Sequence, residues 1–173
     1  MRLNTLILTV LIMVCSILVS ACSRQEPAAV SNNVTEAMSV ASTYKRAELE
    51  ADLPAAQEEI AVQEQAKMDE IRSLTTSAFF DAPANNKGYS PAPRLSFLKQ
   101  HNLRITFISF TEMNTTEASV GLTYTGTLRF GEAAGDKLTL EGTIQLIKTG
   151  GTWKVDHDNY NTADISGLLD NSR

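Results

Sequence analysis

Cysteine is nearly missing from this chain: 173 residues hold two, Cys15 and Cys22. One of them, Cys15, lies inside an apolar stretch, so the stapled framework of small disulfide-rich exported domains is excluded. Histidine is as scarce, with His101 and His157, and neither has a plausible base partner nearby in sequence, which leaves histidine acid–base chemistry unsupported. Positive charge is in deficit, 15 Lys and Arg against 20 Asp and Glu, for a net charge of -5. A nucleic-acid binder needs a basic patch to neutralise phosphates, and none is present. The same deficit excludes polybasic attraction to an anionic lipid surface. Long hydrophobic runs are absent beyond one, Leu6 to Val19, which falls short of the roughly 20 residues a membrane helix needs. No cofactor-binding motif is present, and the length predicts one domain.

What is there begins at that run. Arg2 precedes it, and Ser20, Ala21 and Cys22 follow it. A short positive start, an apolar core and small residues describe an export signal. Val19-Ser20-Ala21-Cys22 resembles the lipobox of bacterial lipoproteins. The resemblance implies cleavage between Ala21 and Cys22 and acylation of Cys22 with palmitate-type chains. The competing readings are an uncleaved anchor or an ordinary signal with a chance cysteine. Cysteine supplies the nucleophile for a diacylglycerol, and each buried acyl CH₂ contributes about 0.8 kcal/mol, so two or three chains anchor firmly. Cleavage would also remove Arg2 and Cys15, leaving 14 basic and 20 acidic side chains and a single cysteine. Ser23 follows Cys22 where the family uses Asp for inner-membrane retention. The resemblance therefore implies the periplasmic face of the outer membrane, with the membrane itself a partner through the acyl chains on Cys22.

Residues 22–42, rich in Ala, Ser and Asn, read as the lipidated cysteine and a flexible tether. Residues 43–80 read as a helical segment broken at Pro54, with Asp52 as N-cap and an apolar stripe of Leu53, Ala56, Ile60, Met68, Ile71, Leu74 and Ala78. Residues 81–102 read as loop, with a short helical turn from Arg94 to Gln100. From Leu103 the period changes to two. Strands are predicted at Leu103–Phe110, Ala118–Phe130, Leu138–Lys148 and Trp153–Asp158, giving an antiparallel sheet over 103–160 and a C-terminal tail over 161–173. Val120, Leu122, Tyr124, Leu128 and Phe130 share one face of the second strand, and Leu138, Leu140, Ile144 and Leu146 one face of the third. Gly126 and Gly142 interrupt those faces and mark bends. The fold class expected is α+β, with N-terminal helices packed on a curved four-stranded antiparallel meander.

Helices followed by a long-stranded meander that closes on Gly151, Trp153, Lys154 and Val155 look like the nuclear transport factor two-like superfamily, the cystatin-like cone. The resemblance spans about Pro54 to Tyr160. It departs from the family where a hairpin strand would precede the main sheet, since residues 81–93 are mostly loop. The superfamily includes enzymes, pocket binders and structural modules, so the likeness does not give an activity.

Candidate chemistry is thin. Ser96-Phe97-Leu98-Lys99 and Lys148-Thr149-Gly150 match two motifs of penicillin-recognising enzymes, but the Ser-x-Asn motif is missing and the chain is too short for that fold. Asp156-His157-Asp158 invites a metal reading. On a regular strand, however, the two aspartates share one face and the histidine takes the other, so a solvated strand end is the simpler account. Glu112, Glu117, Glu132 and Asp136 sit at strand turns and read as solvated. Phe107, Tyr124, Phe130 and Trp153 are candidate pocket-lining residues, with a filled core as the plainer alternative.

The expectation is a non-enzymatic, lipid-anchored periplasmic module that binds an envelope protein or other envelope component, without metal or cofactor. Two alternatives compete with it. One is a small-molecule binder or enzyme using the concave face of the sheet; the other is a structural or secretion-assembly component docking through the Tyr44–Phe80 helix.

Overall fold

In β-structure, side chains alternate between two faces, and the C-terminal half of this chain folds on that rule. The computed structural model describes residues 28–82, 90–134 and 136–161. Four strands, β1 (Arg104–Thr115), β2 (Ser119–Arg129), β3 (Lys137–Thr149) and β4 (Thr152–Tyr160), form one antiparallel sheet in the order β1-β2-β3-β4. The protein is α+β, with helices and this open four-stranded meander. Val120, Leu122, Tyr124 and Leu128 of β2, and Leu140, Ile144 and Leu146 of β3, are all buried on the shared face. Their opposite neighbours, Thr125, Thr139, Glu141, Thr143 and Gln145, are exposed. Gly150 and Gly151 both have positive φ, 59° and 83°, and close the β3–β4 hairpin with backbone that few other residues adopt.

Two strands break the alternation. On β1, Ile105 pairs with Leu128 and Phe107 with Thr127, so Thr106 is an extra, bulged residue. The inward positions move from Leu103 and Ile105 to Ile108 and Phe110. On β4, Leu146 pairs with Val155 and Gln145 with His157, so Asp156 is the bulge. There the inward positions pass from Trp153 and Val155 to Asp158 and Tyr160. A one-residue insertion exchanges the two faces beyond it.

The buried face of the sheet is covered by α1 (Ala28–Leu49), a 22-residue helix. This corrects the tether reading over its helical part: Ala28 to Ser42 is helix, and residues 22–27 lie outside the described residues. Ala37, Ala41, Tyr44, Lys45 and Glu48 recur at helical spacing and are all buried. The alanines have no bulk to hold the helix off the strands, and Val34, Tyr44 and Leu49 are buried beside them. A helix of this length spans about 33 Å at 1.5 Å per residue. Its first half meets the β3–β4 hairpin, where Lys148 Nζ donates to Asn33 Oδ1 at 3.2 Å and Trp153 Nε1 to Glu36 Oε2 at 3.3 Å. Its far end meets the start of β1, where Ala51 and Leu103 exchange backbone hydrogen bonds of 2.9 and 3.2 Å.

The second helix, α2 (Gln57–Leu74), begins five residues later than Asp52, the expected cap. The Asp52 carboxylate pairs instead with Arg104, and Glu59 Oε2 reaches back to accept from the Ala55 N–H at 2.9 Å. Of the predicted stripe, Ile60 and Ile71 are buried, Met68 and Leu74 half-buried, and Leu53, Ala56 and Ala78 exposed. A short turn of helix, α3 (Ser77–Phe80), is capped by Thr76, whose hydroxyl accepts from the Phe79 N–H at 3.1 Å. The fourth helix, α4 (Ala92–Lys99), starts two residues before the turn expected at 94–100 and stops one residue before its end, at the left-handed cap Gln100. No helix among the described residues is long and apolar enough to cross a membrane.

Candidate functional site

Charged side chains inside a small domain are costly unless each is paired, so a buried lysine marks the most unusual place in this molecule. Lys45, on the sheet-facing side of α1, is fully buried. Its ammonium lies 2.7 Å from Glu48 Oε2, one turn along the same helix, and 3.0 Å from Asp158 Oδ2 on β4. Both carboxylates are almost wholly shielded from solvent.

Three tyrosines complete the cluster. Tyr44 donates to Asp158 Oδ2 at 3.1 Å and lies 3.4 Å from Glu48 Oε1. Tyr160 donates to Glu48 Oε1 and Tyr124 to Asp158 Oδ1, each at 3.3 Å. The Lys45 Nζ stands 3.7 Å from the centre of the Tyr160 ring and 5.0 and 5.5 Å from those of Tyr124 and Tyr44. Ring faces attract a cation, and more strongly where water is excluded.

The sheet makes room for this group through one glycine. Tyr124, Gly142 and Tyr160 occupy one row across β2, β3 and β4. A Cβ at Gly142 would stand 2.8 Å from the Tyr124 hydroxyl and 2.8 Å from the Tyr160 Cβ. The same Cβ would stand closer still to the Asn159 carbonyl oxygen, so this glycine serves the backbone of β4 as well as the tyrosines. The Asp156 bulge does the rest by turning Asp158 and Tyr160 under α1.

Electrostatics agree with the geometry. Burial works to lower the Lys45 pKa, but the Glu48 and Asp158 carboxylates outweigh it and hold the ammonium well above its ordinary value. Burial raises the Tyr44 hydroxyl, and Glu48 and Asp158 push it further. Burial and Glu48 likewise raise Tyr160. Burial raises Tyr124 too, against the opposing pull of Lys45. All four groups therefore keep their protons at neutral pH.

The sequence-derived candidates fall into separate places. Tyr124 joins the lysine cluster. Phe130 and Trp153 are buried core residues, the first with Lys99 over its ring at 5.8 Å, the second with Lys148 at 5.4 Å. Phe107 lines no internal site: it is 55% exposed, because the bulge at Thr106 turns it outward. The Asp-His-Asp triplet is divided three ways. Asp156 accepts from Thr76 Oγ1 at 2.8 Å, His157 is exposed with its ring 6.4 Å from that of Phe79, and Asp158 is inside the cluster. Asp158 is thus not the solvated strand end expected of it. Ser96, the serine of the Ser-x-x-Lys match, is buried and donates to the His101 carbonyl at 2.6 Å, which fixes the end of α4. Among the described residues no three His, Cys, Asp or Glu side chains are grouped to hold a metal. Cys22, Ala21 and Ser23 lie outside the described residues.

Sequence reasoning overlooked Lys45, Glu48 and Tyr160, gave Tyr44 no role of its own, and placed Asp158 in solvent. A signal existed in Tyr44-Lys45-x-x-Glu48, which puts two hydrogen-bonding partners one helical turn apart beside the Ala37–Ala41 repeat.

The surface also carries a groove of about 560 Å³ between α2 and α4. Ile60, Phe97 and Leu98 form its apolar part, and Arg94 faces Glu64 across it at 3.5 Å. Its α2 residues belong to the first turns of that helix, which follow the C-terminal end of α1 in the chain. No protein-family model matches the chain, and no curated protein matches it either.

Proposed function

We propose that this chain is a lipoprotein of the bacterial envelope, held by acyl chains on Cys22 at the periplasmic face of the outer membrane. Its domain is a non-enzymatic module that binds another envelope component through its outer surface. The observation that carries the second half of this reading is the filled interior. In a cone-type fold a small ligand would enter between helix and sheet, and here that space holds Lys45, its two carboxylates and three tyrosine rings. Binding therefore belongs on the outside, and the α2–α4 groove is the concave apolar surface on offer.

The anchor and the fold together limit the reach of the domain. Only residues 23–27 separate Cys22 from the start of α1. Whatever their conformation, five residues extend at most about 18 Å. The domain then stays close to the lipid, with the β3–β4 hairpin end nearer to it and the α2–α4 groove turned away toward partners.

Mass spectrometry of the mature chain tests the anchor: an acylated Cys22 at the N-terminus is expected. Residues 1–21 still attached, or a free thiol at Cys22, overturns it. For the docking face, Leu98→Asp alters a 41% exposed position in the groove. It should abolish recovery of the partner from detergent-solubilised envelopes while leaving the thermal midpoint within a degree or two of the parent. Equal recovery by the variant contradicts the assignment.

A further inference from the structure

An amine and a carboxyl held in contact without water are reactants as well as an ion pair. We propose that Lys45 and Asp158 condense after folding into an intramolecular isopeptide bond, joining α1 to β4. The geometry supplies each part of that reaction. Lys45 Nζ is 3.0 Å from Asp158 Oδ2, and both side chains are fully shielded from solvent. Such fixed proximity replaces a bimolecular encounter and gives effective concentrations far above any reached in solution.

Glu48 Oε2, 2.7 Å from Nζ, is placed to take a proton from the ammonium and free its lone pair. Tyr44 lies within 3.4 Å of Glu48 Oε1 and 3.1 Å of Asp158 Oδ2, so the proton passes along Glu48 and Tyr44 to Oδ2 and converts the carboxylate to the acid. Nζ then adds to Cγ of Asp158. Tyr124 donates to Oδ1 at 3.3 Å and stabilises the negative charge that develops there. A second proton leaves Nζ by the same relay, the Cγ–Oδ2 bond breaks, and Oδ2 departs as water. One ammonium and one carboxylate give one amide and one water, with no oxidant, reductant or added reagent.

The surrounding carboxylates keep Lys45 charged at rest, so the reactive neutral amine is a minor form and the condensation is a slow, single maturation step. Exclusion of water then protects the product from hydrolysis. The bond would connect residues 113 positions apart, tying the N-terminal helix to the last strand. The proposal does not depend on the lipid anchor.

Intact and peptide mass spectrometry of the full folded chain is the test. The expected result is a mass lower by one water, and a tryptic branched peptide joining the segment holding Lys45 to the segment holding Asp158, with no cleavage after Lys45. Lys45→Arg, which keeps the charge but cannot condense, should show the full mass. Glu48→Gln, checked for folding by circular dichroism, should form the bond many-fold more slowly. The unmodified mass after prolonged incubation of the folded protein overturns the proposal, and so does a water loss confined to a single peptide, which indicates an internal imide. Because the native chain alone gives this readout, failure of either variant to fold leaves the test intact.

Discussion

Helices α1 and α2 reverse the usual relation between appearance and role. In sequence, α2 shows the stripe of a core helix, and α1 shows alanine, serine and asparagine with scattered charges. In the structure α2 lies outside, with Val62 70% exposed and only Ile60 and Ile71 buried, while α1 supplies the inner layer. The difference teaches that small residues at helical spacing, with a few large ones such as Tyr44 and Leu49 among them, can carry a helix into the core. Close approach brings the backbone and the polar side chains into the core together. Once there, Lys45 and Glu48 must be satisfied, and Asp158 with the tyrosines satisfies them.

The largest effect that should expose this contrast comes from alkali. In the chain before any Lys45–Asp158 bond forms, Lys45, Tyr44, Tyr124 and Tyr160 all hold their protons more tightly folded than unfolded. Their contribution to stability is therefore complete below about pH 10 and falls as pH climbs through the raised values. Denaturation midpoints measured against pH should hold steady to about pH 10 and then collapse. Phenolate absorbance of these tyrosines should rise together with loss of the fold. Early, independent titration of all of them would place them outside the core.

Next in size is Lys45→Met. Relative to the parent chain before the Lys45–Asp158 bond forms, leaving two buried carboxylates without their cation should cost about 3–5 kcal/mol in chemical denaturation. Replacing all three charges, with Glu48→Leu and Asp158→Leu added, should recover most of that loss, since an apolar triad needs no partner. Gly142→Ala should cost about 1–3 kcal/mol, because the new methyl group meets the Asn159 carbonyl oxygen first and then the Tyr124 hydroxyl. At the small end, Val62→Ser on α2 should change stability by no more than about 0.5 kcal/mol. A loss of several kcal/mol there would show that α2 is covered by something in solution, and the inner and outer roles would need redrawing.

The strands were legible because burial on one face writes a period of two into β2 and β3, and neither carries a bulge. The bulges themselves were not legible. Thr106 and Asp156 look like ordinary alternating positions, yet each exchanges the faces of the residues beyond it. For that reason Phe107 read as inward and Asp158 as solvated. The start of α1 was hidden by composition, since alanine and serine suit both a linker and a helix packed closely on a sheet. The lysine cluster was hidden by separation: its parts come from residues 44–48, 124 and 158–160, and only the tertiary fold brings them together. The lipoprotein reading of the segment before α1, with Cys22, rests on linear sequence alone, and those residues lie outside the described ones.

Native-state hydrogen exchange across α1 tests most directly whether this helix belongs to the core. The account predicts that amides from Ala37 to Leu49 exchange only through the same global opening that releases the centre of β2. Exchange of those amides orders of magnitude faster than β2, with the sheet still protected, would contradict it and return the segment to the status of a tether.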